Sequence, residues 1–180
     1  MVTCNDADLA ARIAALRSHG ETDKYLHTSI GYNYRMTDVE AAIGLGQLDR
    51  LPASNDARRS VAVRYNEGLA DLDQLDTPGV TPKGECVYHQ YTIRLNLDRL
   101  SCTRDEFQAA LKAEGVPSAV HYPRPLSRQP ALERFVTEPT PVSDTLADRV
   151  LCLPVHAGLS DEHVARVIES VRKVAAAKQA

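Results

Sequence analysis

The sequence predicts an α/β chain in which a small sheet is flanked by helices, one of them long. Two kinds of observation predict it. Stretches with apolar residues at helical spacing, such as Leu9, Ile13 and Leu16 or Val61, Tyr65 and Leu69, alternate with short runs of period two, such as Tyr91, Ile93 and Leu95. Gly, Pro and Ser/Thr punctuation falls between them at the places where helices start and stop.

Val2 to Cys4 reads as the tail of a strand, and Asn5 as the cap of a helix over Asp6 to Ser18. Gly20 should end that helix, and a polar loop should run to Gly31. Thr37 or its neighbour caps the longest helical segment, which carries Val39, Ile43, Leu48 and Leu51. Pro52 should interrupt or bend it, because an interior proline removes a backbone donor and clashes with the preceding turn. A second helical stretch places Val61, Tyr65, Leu69 and Leu72 on one face.

After the Pro/Gly-rich turn at 77–84, the alternation of Val87, His89, Tyr91, Ile93 and Leu95 predicts a strand over 86–97. A helix over 103–114 closes at Gly115, and a short strand follows at 118–121. Residues 123–142 read as loop with one helical turn near 131–135. Ser143 can cap a helix to Arg149, 151–153 makes a short strand, and Ser160 opens a final amphipathic helix ending in a frayed Ala/Lys tail.

Composition narrows the function. With 43% hydrophobic and 25% charged residues, the chain can bury a real core. A net charge of −3, from 21 basic and 24 acidic residues, gives no electrostatic footprint for nucleic acid or an anionic membrane. No apolar run reaches the roughly 20 residues of a spanning helix. The start, Met-Val-Thr-Cys-Asn-Asp, has no export signal, so a cytoplasmic location is expected. The four cysteines, at 4, 86, 102 and 152, lack the spacing of a zinc or redox pair, and buried free thiols are expected. The six histidines are scattered singly, with no metal-binding pair, and there is no glycine-rich phosphate loop. No metal site is expected.

Two stretches carry the functional signal: Gly31-Tyr32-Asn33-Tyr34-Arg35-Met36-Thr37-Asp38, and His121-Tyr122-Pro123-Arg124-Pro125-Leu126. Together, and with weaker matches such as Leu151-Cys152-Leu153-Pro154, they resemble the C-terminal half of the DegT/DnrJ/EryC1/StrS sugar aminotransferases, which use pyridoxal phosphate. The resemblance covers essentially all 180 residues. It implies the C-terminal lobe of the aspartate-aminotransferase-like fold, with 1–35 as the end of the cofactor domain and a crossing loop and 36–180 as the small C-terminal domain. The residues by themselves mark no linker between the two.

The resemblance also assigns roles. Asn33 would donate its amide to the cofactor phosphate of a neighbouring subunit, since an amide supplies directed donors without charge. Arg35 would hold that loop or a nearby acidic group; an ion pair with Asp38 or Glu40 is the structural alternative. His121 and Tyr122 would border the nucleotide-sugar site, presented by the rigid Pro123 and Pro125. Family members commonly carry a second histidine where this chain has Ser127.

None of the five lysines, at 24, 83, 112, 173 and 178, stands in the context of the family's Schiff-base lysine, and no residue here is a candidate catalyst. The expectation is therefore the C-terminal part of a split or truncated aminotransferase acting on a nucleotide-linked 4-keto-6-deoxysugar, with glutamate as donor, for a cell-surface glycan or glycolipid. It would not bind pyridoxal phosphate covalently or work alone. Its partner would be a separately encoded N-terminal half or a full-length paralogue, in a homo- or heterodimer. The alternatives are a non-catalytic remnant serving as an interaction module, and a decayed fragment.

Overall fold

A computed structural model describes residues 2–180 and divides the chain into two compact units, one ending at Arg50 and one running from Leu51 to Ala180. The first unit contains α1 (Ala7–Arg17), a two-strand hairpin of β1 (Glu21–Asp23) and β2 (Leu26–His27), and α2 (Asp38–Leu48). Asp6, not Asn5, caps α1: its side chain accepts from the Leu9 N–H at 2.8 Å. The expected strand at 2–4 is irregular and exposed, because a strand exists only where another strand takes its backbone groups, and none does so among the described residues.

His19 and Gly20 both take left-handed backbone, φ 60° and 72°, and the Gly20 N–H donates to Ala15 O at 2.8 Å, closing the end of α1. A Cβ on Gly20 would fall 1.7 Å from Ser29 O, and one on Gly31 would fall 2.0 Å from Gly20 N, so both positions need glycine. The 21–27 hairpin occupies what the sequence suggested was plain loop. Thr37 caps α2 in a reciprocal capping box with Glu40, whose carboxyl those hydrogen bonds hold below its ordinary range. The helix ends at Leu48, short of the proline. Val39, Ile43, Leu45 and Leu48 remain exposed, and among the described residues no hydrophobic side chain of this unit is buried.

The second unit holds the core. Its elements are α3 (Leu51–Leu69), β3 (Leu75–Asp76), β4 (Tyr91–Leu95), α4 (Arg104–Ala113), α5 (Pro141–Arg149), β5 (Val150–Leu153) and α6 (Asp161–Ala177). Pro52 lies in the first turn of α3, where a missing N–H costs little; it starts a helix here and does not bend one. The sheet is antiparallel in the order β3-β4-β5, with Leu75 opposite Leu95 and Tyr91 opposite Leu153. Tyr65 and Leu69 of α3, Tyr91, Ile93 and Leu95 of β4, Phe107 and Leu111 of α4, and Val164 and Val171 of α6 are all essentially fully buried together. At about 25 cal/mol per Å² of apolar surface removed from water, this cluster is the main source of stability in the unit.

The strand expected over 86–97 covers only Tyr91–Leu95, because Tyr88 takes φ 46° and turns the chain: Tyr88 is buried while Val87 and His89 face solvent. The strand expected at 118–121 reduces to one antiparallel bridge, Ala119 to Cys152. Thr140 and Pro141, not Ser143, begin α5; proline at the first helical position loses only a donor that has no helical partner. The C-terminal tail is tied down, with Ser101 N–H donating to Lys178 O at 2.7 Å and Ala180 N–H to Arg99 O at 3.1 Å. Of the cysteines, only Cys152 is buried; Cys4 and Cys86 are exposed. As expected, a helix with its caps fills 103–114, closing at the left-handed Gly115, and Ser160 caps the last one; the structure adds a capping box between Thr103 and Glu106.

Candidate functional site

The Asn33 segment is built by the end of α1. Tyr32 N–H donates to Leu16 O at 2.7 Å, His19 N–H donates to Tyr32 O at 2.9 Å, and Tyr34 N–H donates to Arg17 O at 2.9 Å. The unsatisfied carbonyls of the helix terminus are thus taken up by an extended strand, which fixes residues 32–34 in space. Period-two alternation then separates the side chains. Tyr32 and Tyr34 stack with ring centroids 5.0 Å apart and an interplanar angle of 9°, while Arg35 Nε donates to Asn33 Oδ1 at 3.4 Å. Arg35 forms no ion pair with Asp38 or Glu40 among the described residues; Glu40 is engaged by Thr37. Its hydrogen bond orients the Asn33 amide, whose NH2 makes no hydrogen bond among the described residues, and the residue is exposed.

His121 and Tyr122 stand in the second unit. The Ala119–Cys152 bridge, with N···O distances of 3.1 and 2.7 Å, pins the chain to the edge of β5 two residues before His121. Gln108 Nε2 adds a donor to Ser118 O at 2.9 Å. The two rings pack edge to face, 5.5 Å apart at 89°, and Tyr122 is 73% exposed. Both line a cleft of about 890 Å³ whose other walls are the 124–129 segment and α5. Pro125, Leu146, Ala147 and Val150 make an apolar floor, and Arg124, Ser127, Gln129, Thr140 and Ser143 bring polar groups to the rim. Arg124 has no carboxylate partner among the described residues, so its charge is available to an anionic ligand. His121 also borders a second depression of about 300 Å³ with His89, Gln90 and Pro154.

A concave apolar surface with convergent donors and one free cation suits a polar ligand carrying an anionic group. The residues also fit one end of pyridoxal phosphate: an exposed, pre-oriented amide such as that of Asn33 can donate to a phosphate. None of the five lysines lines the cleft at His121. Among the described residues, no group of His, Cys, Asp and Glu could hold a metal ion, and no helix is long and apolar enough to cross a membrane. Thr140 and Ser143 escaped the sequence reading. They belong to the cleft only because α5 folds back beside the 124–129 segment, which no local pattern announces.

Comparison with known proteins gives these features a context. The DegT/DnrJ/EryC1/StrS aminotransferase family matches residues 1–172. The UDP-N-acetyl-3-dehydro-alpha-D-glucosamine 3-aminotransferase of Acidithiobacillus ferrooxidans is 38% identical over 173 residues, covering 96% of this chain and 45% of that protein. GDP-perosamine synthase of Caulobacter vibrioides is 36% identical over 177 residues, covering 97% and 47%. The crystal structure of S. venezuelae DesV in complex with a ketimine intermediate superposes with a TM-score of 0.88 at 32% identity, over 96% of this chain and 46% of that one. The chain thus spans about half the length of the curated relatives it matches. The mixed helix and small-sheet architecture, the Asn33 segment and the His121 cleft therefore sit in a chain that belongs to the DegT/DnrJ/EryC1/StrS aminotransferase family, of which it corresponds to a C-terminal portion.

Proposed function

We propose that this chain supplies the C-terminal part of a cytoplasmic, pyridoxal-phosphate-dependent aminotransferase that places an amino group on a keto group of a nucleotide-linked sugar. A 4-keto-6-deoxysugar is the expected substrate, glutamate the donor, and a cell-surface glycan or glycolipid the destination. The observation that carries the reading is the family match over residues 1–172, together with a cleft at His121 that offers an anion-binding arginine and several hydroxyls over an apolar floor. Residues 1–35 act as the end of the cofactor domain and a crossing loop, and 36–180 as the small domain.

When bound, pyridoxal phosphate supplies the electron sink for transamination. This chain's own residues bind and orient. The Asn33 amide, steadied by Arg35, donates to the phosphate in a neighbouring subunit of a dimer. His121 and Tyr122 hydrogen-bond the sugar or its phosphates, and Arg124 neutralises negative charge at the rim. The lysine that holds the cofactor comes from an N-terminal half outside these residues. The exposed apolar side chains of α2, including Val39 and Ile43, support a role for that helix in pairing with such a half.

Reconstitution tests this. After incubation with pyridoxal phosphate and removal of the free cofactor, the chain alone should retain no cofactor absorbance, whereas the chain mixed with an N-terminal half of a relative should retain the band and transaminate a keto sugar nucleotide. Asn33→Ala should weaken cofactor retention in the reconstituted species. No complex and no band from the two halves together would refute the proposal.

A further inference from the structure

The segment from His121 to Pro139 forms the outer wall of the cleft, and it is held by very little. Its backbone hydrogen bonds are all local, such as Arg128 N–H to Pro125 O at 3.0 Å, Gln129 N–H to Leu126 O at 3.1 Å and Leu132 N–H to Gln129 O at 2.9 Å. It contains only two three-residue turns of 3₁₀ helix, at Leu126–Arg128 and Glu133–Phe135, and contributes no strand to the sheet. Leu126, Phe135 and Tyr122 are 72%, 64% and 73% exposed and only Pro125, Ser127, Gln129 and Leu132 are half-buried, so burial anchors it weakly. Among the described residues, two side-chain hydrogen bonds or ion pairs join this wall to another element, and both run to the start of α5. Ser127 Oγ and Thr140 Oγ1 lie 2.5 Å apart, and Arg128 Nε lies 2.7 Å from Asp144 Oδ1. One is a hydroxyl pair at the helix cap, and the other is an ion pair at the first turn, where a carboxylate is also favoured by the helix dipole.

We propose that these two contacts form a latch that fixes the width of the cleft, making Thr140 and Arg128 positioning residues for ligand binding at His121 and Tyr122. The proposal rests on the reading of this cleft as the sugar-nucleotide site. A wall with local turns only has many conformations of similar energy, and each long-range contact removes some of them. The latch holds the wall at the spacing where residues on both sides reach one ligand. Ser127 and Thr140 serve twice, as latch and as cleft lining.

The test uses the 180-residue chain with UDP as probe. Amide hydrogen exchange is followed at Arg128, Gln129 and Leu132, with Val116 at the end of α4 as the internal reference for global stability. Three variants separate the cases. Thr140→Val removes the hydroxyl and keeps the shape; Thr140→Ser restores the hydroxyl; Arg128→Gln removes the ion pair and leaves the first turn of α5 intact. Exchange at the wall should rise roughly tenfold in Thr140→Val, the change expected from losing one hydrogen bond, and about two- to fivefold in Arg128→Gln, where the pair is partly exposed, and stay near the unaltered rate in Thr140→Ser. UDP affinity should fall severalfold in the first two variants and hold in the third, with Val116 unmoved throughout.

Unchanged exchange at the wall overturns the latch. Faster exchange with unchanged UDP affinity overturns the positioning role. Failure of the unaltered chain to bind UDP overturns the site reading on which the positioning role rests, and the exchange rates then decide the latch by themselves.

Discussion

Replacing Arg104 by methionine should destabilise the second unit by about 2–4 kcal/mol. Arg104 is the first residue of α4, yet its side chain is among the few charged or polar groups buried in this molecule, at 8% exposure. Its Nη1 donates to Ala147 O at 3.1 Å and to Val150 O at 3.3 Å, and its Nε donates to Asp105 at 2.5 Å. Ala147 and Val150 sit at the junction where α5 ends and β5 begins, so the guanidinium satisfies carbonyls that the helix terminus leaves open. Hydrogen bonds from a charged donor contribute about 1.5–3 kcal/mol each, and two are lost. Against this, methionine avoids the cost of burying a cation and still fills much of the volume, which brings the net to the stated range. The Asp105 contact adds little, because that carboxylate is well exposed.

The assay is urea denaturation followed by tyrosine fluorescence, with the chain free of tryptophan and Tyr65, Tyr88 and Tyr91 packed in the core of the unit. In a thermal scan the same loss should lower the midpoint by roughly 4–16 °C at about 2–4 °C per kcal/mol for a protein of this size. Because Ala147 and Val150 also form the cleft floor, UDP binding should weaken as well. Arg104→Lys, which keeps the charge but reaches fewer acceptors, should fall between the two. A loss below about 0.5 kcal/mol in Arg104→Met would refute the claim that this side chain closes the α5–β5 junction.

Three further outcomes are expected. Burial pushes the Tyr65 hydroxyl up to about 12, above its ordinary value near 10, and moves Tyr91 further in the same direction. The folded state therefore favours the neutral phenols, and the stability linked to Tyr65 is fully present below about pH 10 and lost as pH rises through about 12. Tyr65→Phe should flatten that alkaline decline in a pH series of denaturation midpoints, and an unchanged decline would contradict the assignment. Thr103→Ala, which breaks the capping box with Glu106 at the start of α4, should cost about 1 kcal/mol in the same denaturation assay, and Thr103→Ser much less. In a thiol titration of the native chain, Cys4 and Cys86 should react at once and Cys152 only on unfolding; immediate reaction of Cys152 would mean that β5 is not packed as described.

What the sequence by itself determined is local. Thr37 with Glu40, Thr103 with Glu106, Ser160, Gly20 and Gly115 are legible because a cap or a left-handed residue acts within five residues of itself. The buried faces of α3 and β4 are legible for the same reason, since periodicity is a property of the segment. The motifs around Asn33 and His121 were legible as patterns, and the family they indicated is the one the chain belongs to.

Tertiary structure alone decided the rest. The ladder expected over 86–97 stops at Tyr91, because the left-handed turn at Tyr88 breaks the pattern and the partner strand β5 pairs no further than Leu153. Residues 118–121 keep a single bridge, from Ala119 to Cys152 on the edge of β5. The C-terminal tail, polar and unremarkable in sequence, is pinned by backbone bonds to residues 99–101. The site divides in the same way. His121 and Tyr122 announce themselves as a motif, whereas Thr140, Ser143 and Leu146 reach the cleft only because Arg104 and the Ser127–Thr140 and Arg128–Asp144 contacts set α5 against the wall. Contacts between residues 13 to 43 positions apart leave no periodicity or cap behind them, and only packing brings such residues together.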